Sequence, residues 1–382
     1  MTTVRVSVQP AMLAWARERS RIAPEDLFRR FAALEEWEAG TKQPTLKQLE
    51  KFASATYTPV GYFFLGAPPD EALRVPDFRT IGDVTVGYAS PNLLDTIYQC
   101  QQRQEWYRDY ARLNREDPVA VVGTLSVGSD VVEAADAMRE TLSFAPDERG
   151  STWTDAFSRL VAEAEDSGVL VMVSGVVGSN THRKLDPKEF RGFALADDLA
   201  PVVFVNGADT RAAQIFTLAH ELVHIWLGQS AVSDADMRRT SANATERWCN
   251  QVAAEFLLPT SALPAALDLT DVPAALEQIA RRFKVSTLVA LRRIYDAGLL
   301  SDTQFRQEYE TELARVLALM EQRRATGGSF YNTQPVRTSK RFTRALIRST
   351  LAGQTLHRDA FQMLGFKKVS TFNELASRVG VA

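Results

Sequence analysis

Apolar residues along this chain recur at two different spacings, and the change between them divides it. Over residues 8–65 they fall three and four apart. Met12, Leu13, Ala16 and Ile22 open the pattern, and Leu46, Leu49, Phe52 and Ala53 close it, which predicts short amphipathic helices. Pro24-Glu25-Asp26 is a helix start, with proline in the first turn and acids at the positive end of the dipole. Gly40 and then Pro44-Thr45 supply a stop and a new start. Residues 66–90, with Pro68-Pro69 and Pro76, read as a connection rather than a core element. Helical spacing resumes from Pro91 to about Asn114 through Leu94, Ile97 and Trp106. It continues over 130–166 through Ala134, Met138 and Leu142, then Trp153, Phe157 and Leu160.

At Gly168 the period shortens. Residues 169–173 form a continuous apolar, β-rich run between Gly168 and Gly175, residues 190–195 alternate, and residues 201–205 form a second apolar run. A small sheet is predicted just before the next helix, and in zinc peptidases generally the strand in that place can pair with an extended substrate as an added edge strand. The polar stretch 179–184 reads as a loop carrying His182. A helix then starts at Asp209 or Thr210, either a good N-cap, and ends at Gly228. At about 100° per residue, apolar side chains occupy most of its circumference, so it is a buried helix. Thr217, His220, Glu221 and His224 share its one polar wedge. Unpaired polar groups there would be costly, and a ligand in the wedge is expected.

His220 and His224 lie four apart, so both imidazoles stand on one face and can present nitrogens to one tetrahedral cation, with Glu221 beside them as a general base. A catalytic zinc takes three protein ligands and keeps one position open. No third histidine follows at short range. The helix over 245–258, stopped by Pro259, offers Glu246 and Glu255. Glu246 shares the apolar stripe with Cys249, Ala253 and Leu257 and is the predicted third ligand; Glu255, about 180° round, is expected to be a solvated acid. Asn250, one turn beyond Glu246, is a candidate to accept a hydrogen bond from a ligand imidazole, while Cys249 reads as a small buried hydrophobe. The implied chemistry is hydrolysis: the cation acidifies water, Glu221 removes its proton, and the proton goes on to the leaving amine.

Composition narrows the setting. The 382 residues suffice for two or three domains, with 45 % apolar and 24 % charged residues and a net charge of −3, so any basic surface must be local. Cys100 and Cys249 are the only cysteines, there is no apolar run of membrane-spanning length, and the start of the chain lacks the apolar core of a signal peptide. A cytoplasmic protein without a membrane segment is expected.

Two resemblances carry the reading further. The Trp37-Glu38-Ala39-Gly40 turn, the Pro44-Thr45 helix start and the apolar close at 59–64 resemble the small helical domain of Xre-type helix-turn-helix repressors. Between Leu27 and Trp37 the chain is several residues short for a full recognition unit. Glu35 and Glu36, which phosphate would repel, stand where the groove-facing segment belongs, so a degenerate domain is expected and DNA is only weakly supported as a partner. Residues 216–224 together with 246–259 closely resemble the ImmA/IrrE metallopeptidases. That resemblance implies His220, His224 and Glu246 as zinc ligands and Glu221 as the catalytic residue. It also implies an α+β, predominantly helical chain with a zincin-like (gluzincin) core.

The expected layout is an Xre-like domain over 1–66, a helical connector over 67–150, the peptidase domain over 151–300 and a basic helical region over 301–382. The implied function is a zinc endopeptidase of narrow specificity that cuts a regulatory protein such as a repressor. The alternative is an antitoxin that neutralises a toxin by binding, with zinc mainly structural. Residues 279–294 resemble a further helix-turn-helix unit, read as packing, and Gly327-Gly328 as a linker. In the tail, Lys340, Arg341, Arg344 and Arg348 share one helix face: a solvated face, or a surface for an acidic partner or nucleic-acid backbone.

Overall fold

The structure, a computed structural model, describes residues 4–69, 71, 80–81, 84–85, 89–233, 243–263, 267–322 and 336–381. Gly327-Gly328 lies outside the described residues. The chain divides into two compact units, one of residues 1–74 and 83–97, the other of residues 75–82 and 98–382.

The first unit packs α1 (Pro10–Ser20), α2 (Pro24–Arg30), α3 (Leu34–Glu38) and α4 (Leu46–Ala55) around Met12, Leu13, Leu27, Trp37, Phe52 and Phe63. α4 begins with a capping box: Thr45 Oγ1 accepts from Gln48 N at 3.2 Å and Gln48 Oε1 accepts from Thr45 N at 2.9 Å. The short span before Trp37 has room only for the five-residue α3, and Glu35 and Glu36 on it are exposed. Two short strands, β1 (Thr80–Ile81) and β2 (Val84–Thr85), stand where only a connection was expected.

In the second unit, the strands are β3 (Leu170–Ser174), β4 (Val176–Val177), β5 (Asn180–Lys184), β6 (Gly192–Leu195), β7 (Val202–Asn206) and β8 (Ala231–Ser233). The main sheet has the order β3-β7-β6-β8, with β3 parallel to β7 and the other pairs antiparallel. Two expectations are corrected here. β7, the strand before the motif helix, is internal, because β3 and β6 pair on its two sides; the terminal strand on the β6 side is β8, which follows the helix. The 179–184 stretch is strand rather than loop: β5 pairs with β4 as a hairpin, and its polar, exposed side chains conceal the strand period. His182 on it is exposed.

Pleat alternation gives the main sheet two buried faces. Val171, Val173, Ala194, Val203 and Val205 enter the core built with α6 (Val131–Thr141), α7 (Trp153–Asp166), α8 (Arg211–Trp226) and α9 (Ala244–Leu257). On the opposite face, Phe193 and Phe204 stack with centroids 4.9 Å apart, and Met172 Sδ lies 3.7 Å from Cys100 Sγ of α5 (Pro91–Leu113). The helix Lys340–Leu351 packs on β3, and its Phe342 meets Trp106 of α5 edge-on at 5.4 Å. Glu165 Oε1 accepts from Lys340 N at 2.8 Å, which ties that helix to the end of α7. Ala134, Ala135 and Met138 of α6 and Leu142 after it share this core with α7, α8 and α9. α10 (Val272–Phe283), α11 (Thr287–Asp296) and α12 (Asp302–Gln322) follow α9 in the chain; His357–Leu364 and Val369–Arg378 end it. The pattern is α+β, mainly helical with a small mixed sheet. Among the described residues no helix is long and apolar enough to cross a membrane.

Glu255 is not a solvated acid. It is buried and paired with buried Arg293 of α11, and it accepts from Thr260 Oγ1 at 3.0 Å; Arg293 Nε donates to Leu258 O at 2.9 Å. The wheel placed Glu255 correctly opposite Glu246, but α9 is packed on that side too, by α11. Losing one partner of such a pair strands a buried charge, at a cost of about 3–5 kcal/mol.

Candidate metal centre

The motif helix α8 is capped by Thr210, whose Oγ1 accepts from Ala213 N at 3.2 Å, and it stops before Gly228, whose φ of +67° is the left-handed turn that glycine adopts without strain. Every residue from Gln214 to Trp226 is buried. The helix is held between the sheet, α7 and α9, so side chains on its polar wedge have nowhere to reach solvent and must find partners within the core.

The structure brings three of the four predicted chemical groups into one cluster. His220 Nε2 and His224 Nε2 lie 3.2 Å apart. Glu246 Oε2 lies 3.2 Å from His220 Nε2, and Glu246 Oε1 lies 3.0 Å from His224 Nε2. The three residues are buried and could hold a metal ion. The fit can be tested geometrically. Zinc bonds of about 2.0–2.2 Å in a tetrahedron set ligand atoms about 3.3–3.6 Å apart. The observed separations, which run to both oxygens of Glu246, fall slightly short of that edge, so two imidazole nitrogens and a carboxylate are gathered at close to the spacing a zinc ion needs.

The electrostatics agree with such a role. Burial lowers the His224 pKa below its ordinary value despite the pull of Glu246, so the ring is neutral and has a lone pair to offer. Burial opposes charge on Glu246, but His220 and then His224 outweigh it and hold the carboxyl well below the usual range. The nitrogens of two imidazoles and a carboxylate converging at this distance favour a cation between them.

Glu221, fully buried, is positioned by a glycine that the sequence did not single out. A Cβ on Gly192 of β6 would stand 2.6 Å from Thr217 Cγ2, 2.8 Å from Phe204 O and 3.1 Å from Glu221 Cγ. Only a bare backbone lets the polar wedge of α8 lie this close to the sheet. Its signal in the sequence is the placement of a glycine within an alternating strand. Gly192→Ala should destabilise the chain by about 1–3 kcal/mol through overpacking. Urea unfolding of the variant measures this, and an unchanged midpoint would mean that the approach is not tight.

Asn250 is only half-buried, and its Oδ1 accepts no hydrogen bond among the described residues. Cys249 Sγ lies 3.9 Å from His224 Nδ1 instead, because the α8–α9 contact falls on the Cys249 side of Glu246. Burial, then the charges of Glu246 and Glu221, push the Cys249 thiol up, so it remains a neutral, small filler.

The tail residues are divided. Lys340, Arg344 and Arg348 are exposed, although Arg344 Nε donates to Val379 O at 3.0 Å. Arg341 turns inward: Nε donates to Tyr107 Oη at 2.8 Å and a terminal nitrogen lies 3.5 Å from Glu116. Arg341 still lines one surface cavity together with Arg344 and Arg348.

Comparison with known proteins gives no match among curated proteins and none among solved structures. Residues 338–378 match a domain of unknown function (DUF8813). Residues 164–295, which run from the end of α7 through the sheet, the histidine helix and α9 to α11, match the family model Peptidase_M78, described as an IrrE N-terminal-like domain. This part of the chain is therefore similar to a peptidase family, which supports a peptidase-type enzyme.

Proposed function

We propose that the chain is a zinc-dependent endopeptidase of narrow specificity that cleaves a regulatory protein such as a DNA-binding repressor. The observation that carries the reading is the buried cluster of His220, His224 and Glu246, able to hold a metal ion, with Glu221 adjacent on the same helix. The similarity of residues 164–295 to Peptidase_M78 supports the peptidase part, and the resemblance to ImmA/IrrE proteins supports the regulatory substrate. The core around the site is read as zincin-like and the first unit as a degenerate Xre-like domain.

His220, His224 and Glu246 are the ligands in this reading. Zinc held there would supply Lewis acidity toward a peptide carbonyl and toward water in the open position. Glu221 takes a proton from the attacking water at a carboxylate oxygen and delivers it to the amide nitrogen as the C–N bond breaks, so the carboxylate is regenerated. His220, Glu221 and His224 are themselves fully buried, and this burial keeps bulk water out and strengthens these interactions.

The test is co-expression of the chain with the products of its neighbouring genes, comparing wild type with Glu221→Gln. A neighbour that is cut only by wild type is the expected result. Neutralisation of a neighbouring toxin by both forms, with no cleavage, would overturn the peptidase in favour of a binding module.

A further inference from the structure

The last two helices of the chain, His357–Leu364 and Val369–Arg378, are joined by four residues, Gly365-Phe366-Lys367-Lys368. Gly365 has a φ of +73°, the left-handed turn that stops the first of them. Two short helices joined by three or four residues that include a glycine are the form of a helix-turn-helix. The pair has a small core of its own. His357 and Phe361, one turn apart on the first helix, both meet Phe372 of the second, with ring centroids 5.5 and 5.7 Å away. It is also anchored to the body of its unit, because buried Arg103 of α5 donates from Nε and Nη2 to Met363 O at 3.2 and 3.0 Å.

The second helix is two-faced. Phe372, Leu375 and Ala376 are buried, whereas Val369, Ser370, Asn373, Glu374 and Ser377 are exposed. At about 100° per residue the exposed positions fall on one continuous side. Ser370 and Asn373, in the first half of the helix, are short hydrogen-bonding side chains of the kind that read base edges. Glu374, the one acid on this side, is engaged by Arg378 Nε at 2.7 Å. Val369 is the one exposed apolar residue of the helix, too little for the apolar centre of a protein interface.

Charge adds an independent observation. Residues 338–378 carry eight Lys and Arg against two Asp and Glu, a balance of +6 in a chain whose net charge is −3. Much of that is answered nearby. Arg341, Arg344 and Arg348 line one cavity with Glu116, Glu165 and Asp166, while Arg358 and Arg378 pair with Asp359 and Glu374. Lys367 and Lys368 are not answered: both are exposed, directly ahead of the second helix, and neither forms an ion pair among the described residues. In the first unit, by contrast, α3 exposes Glu35 and Glu36. We propose that the helix pair over 357–378 binds double-stranded DNA, with Lys367 and Lys368 on the phosphate backbone and Ser370 and Asn373 facing base edges in the major groove.

Fluorescence anisotropy of the full chain on a labelled pool of random-sequence DNA duplexes tests this. Binding is expected at about 50 mM salt and should fall steeply by about 200 mM. Lys367→Glu together with Lys368→Glu should weaken it about tenfold or more at an unchanged melting temperature, since both side chains are exposed. Repeated selection from the pool should enrich a short sequence, and Asn373→Ala should change which bases are enriched while leaving the salt dependence in place. The proposal is overturned if no duplex binds, if polyglutamate or single-stranded RNA binds as tightly, or if the double lysine variant binds as well as wild type. It is equally overturned if selection enriches no sequence, or the same one with Asn373→Ala.

Discussion

Glu221→Gln should lower the rate of peptide cleavage by about 10²–10⁴-fold, equivalent to about 3–5 kcal/mol of transition-state stabilisation. The substitution keeps the size and polarity of a side chain whose Cγ is packed against Gly192, so the fold and the metal ligands should be undisturbed. What it removes is the ability to accept a proton. Zinc content, measured on the purified variant, should match wild type while turnover is lost. Equal cleavage by the two proteins would rule out Glu221 as the base. Equal loss of zinc and activity would make it a structural residue of the centre.

The second large effect belongs to Glu246. A chain that gathers two imidazoles and a carboxylate in one buried cluster should be stabilised by zinc in proportion to occupancy. At free metal about a thousandfold above Kd the gain is about 4 kcal/mol, on the order of 10 °C in melting temperature for a unit of this size. Glu246→Ala removes the carboxylate that both imidazoles approach, at 3.2 and 3.0 Å, and should abolish most of that shift. Differential scanning calorimetry with and without added zinc, and after chelation, gives the answer. A wild-type melting temperature indifferent to metal would refute the ligand assignment. A zinc-dependent shift retained in full by Glu246→Ala would require a different third ligand.

Much of this was legible in the sequence because it depends on period. The apolar runs before the motif became β3 and β7, the long pattern from Pro91 became α5, and the helical wheel placed His220 and His224 together and selected Glu246 over Glu255. The failures share one physical cause. A wheel or an alternation tells which side of an element differs from the other, but not what is packed against each side. Glu255 looked solvated because it lay opposite the apolar stripe, and α11 brought Arg293 to it from elsewhere in the chain. β7 looked like an edge because β3 lies on its other side through a parallel pairing, which no local pattern announces. β5 carries exposed polar side chains, so its period was invisible. Arg341 shared a helix face with three exposed cations, yet Tyr107 and Glu116 draw it inward. Gly192 is a contact between distant segments and is felt only when a Cβ is imagined there.

The second covered face of the main sheet bears on where this chain can be divided. The stretch that resembles a peptidase ends at residue 295, and it would be natural to express it alone. The sheet inside that stretch is closed, however, by α5 from before it and by the helix Lys340–Leu351 from after it, with Phe342 and Leu346 fully buried. A recombinant fragment cut at the limits of the sequence match would bare the face bearing Met172, Phe193 and Phe204 and would be prone to aggregate. The tail is thus one wall of the sheet's own core, and a fragment meant to keep that face covered should include both α5 and the helix Lys340–Leu351.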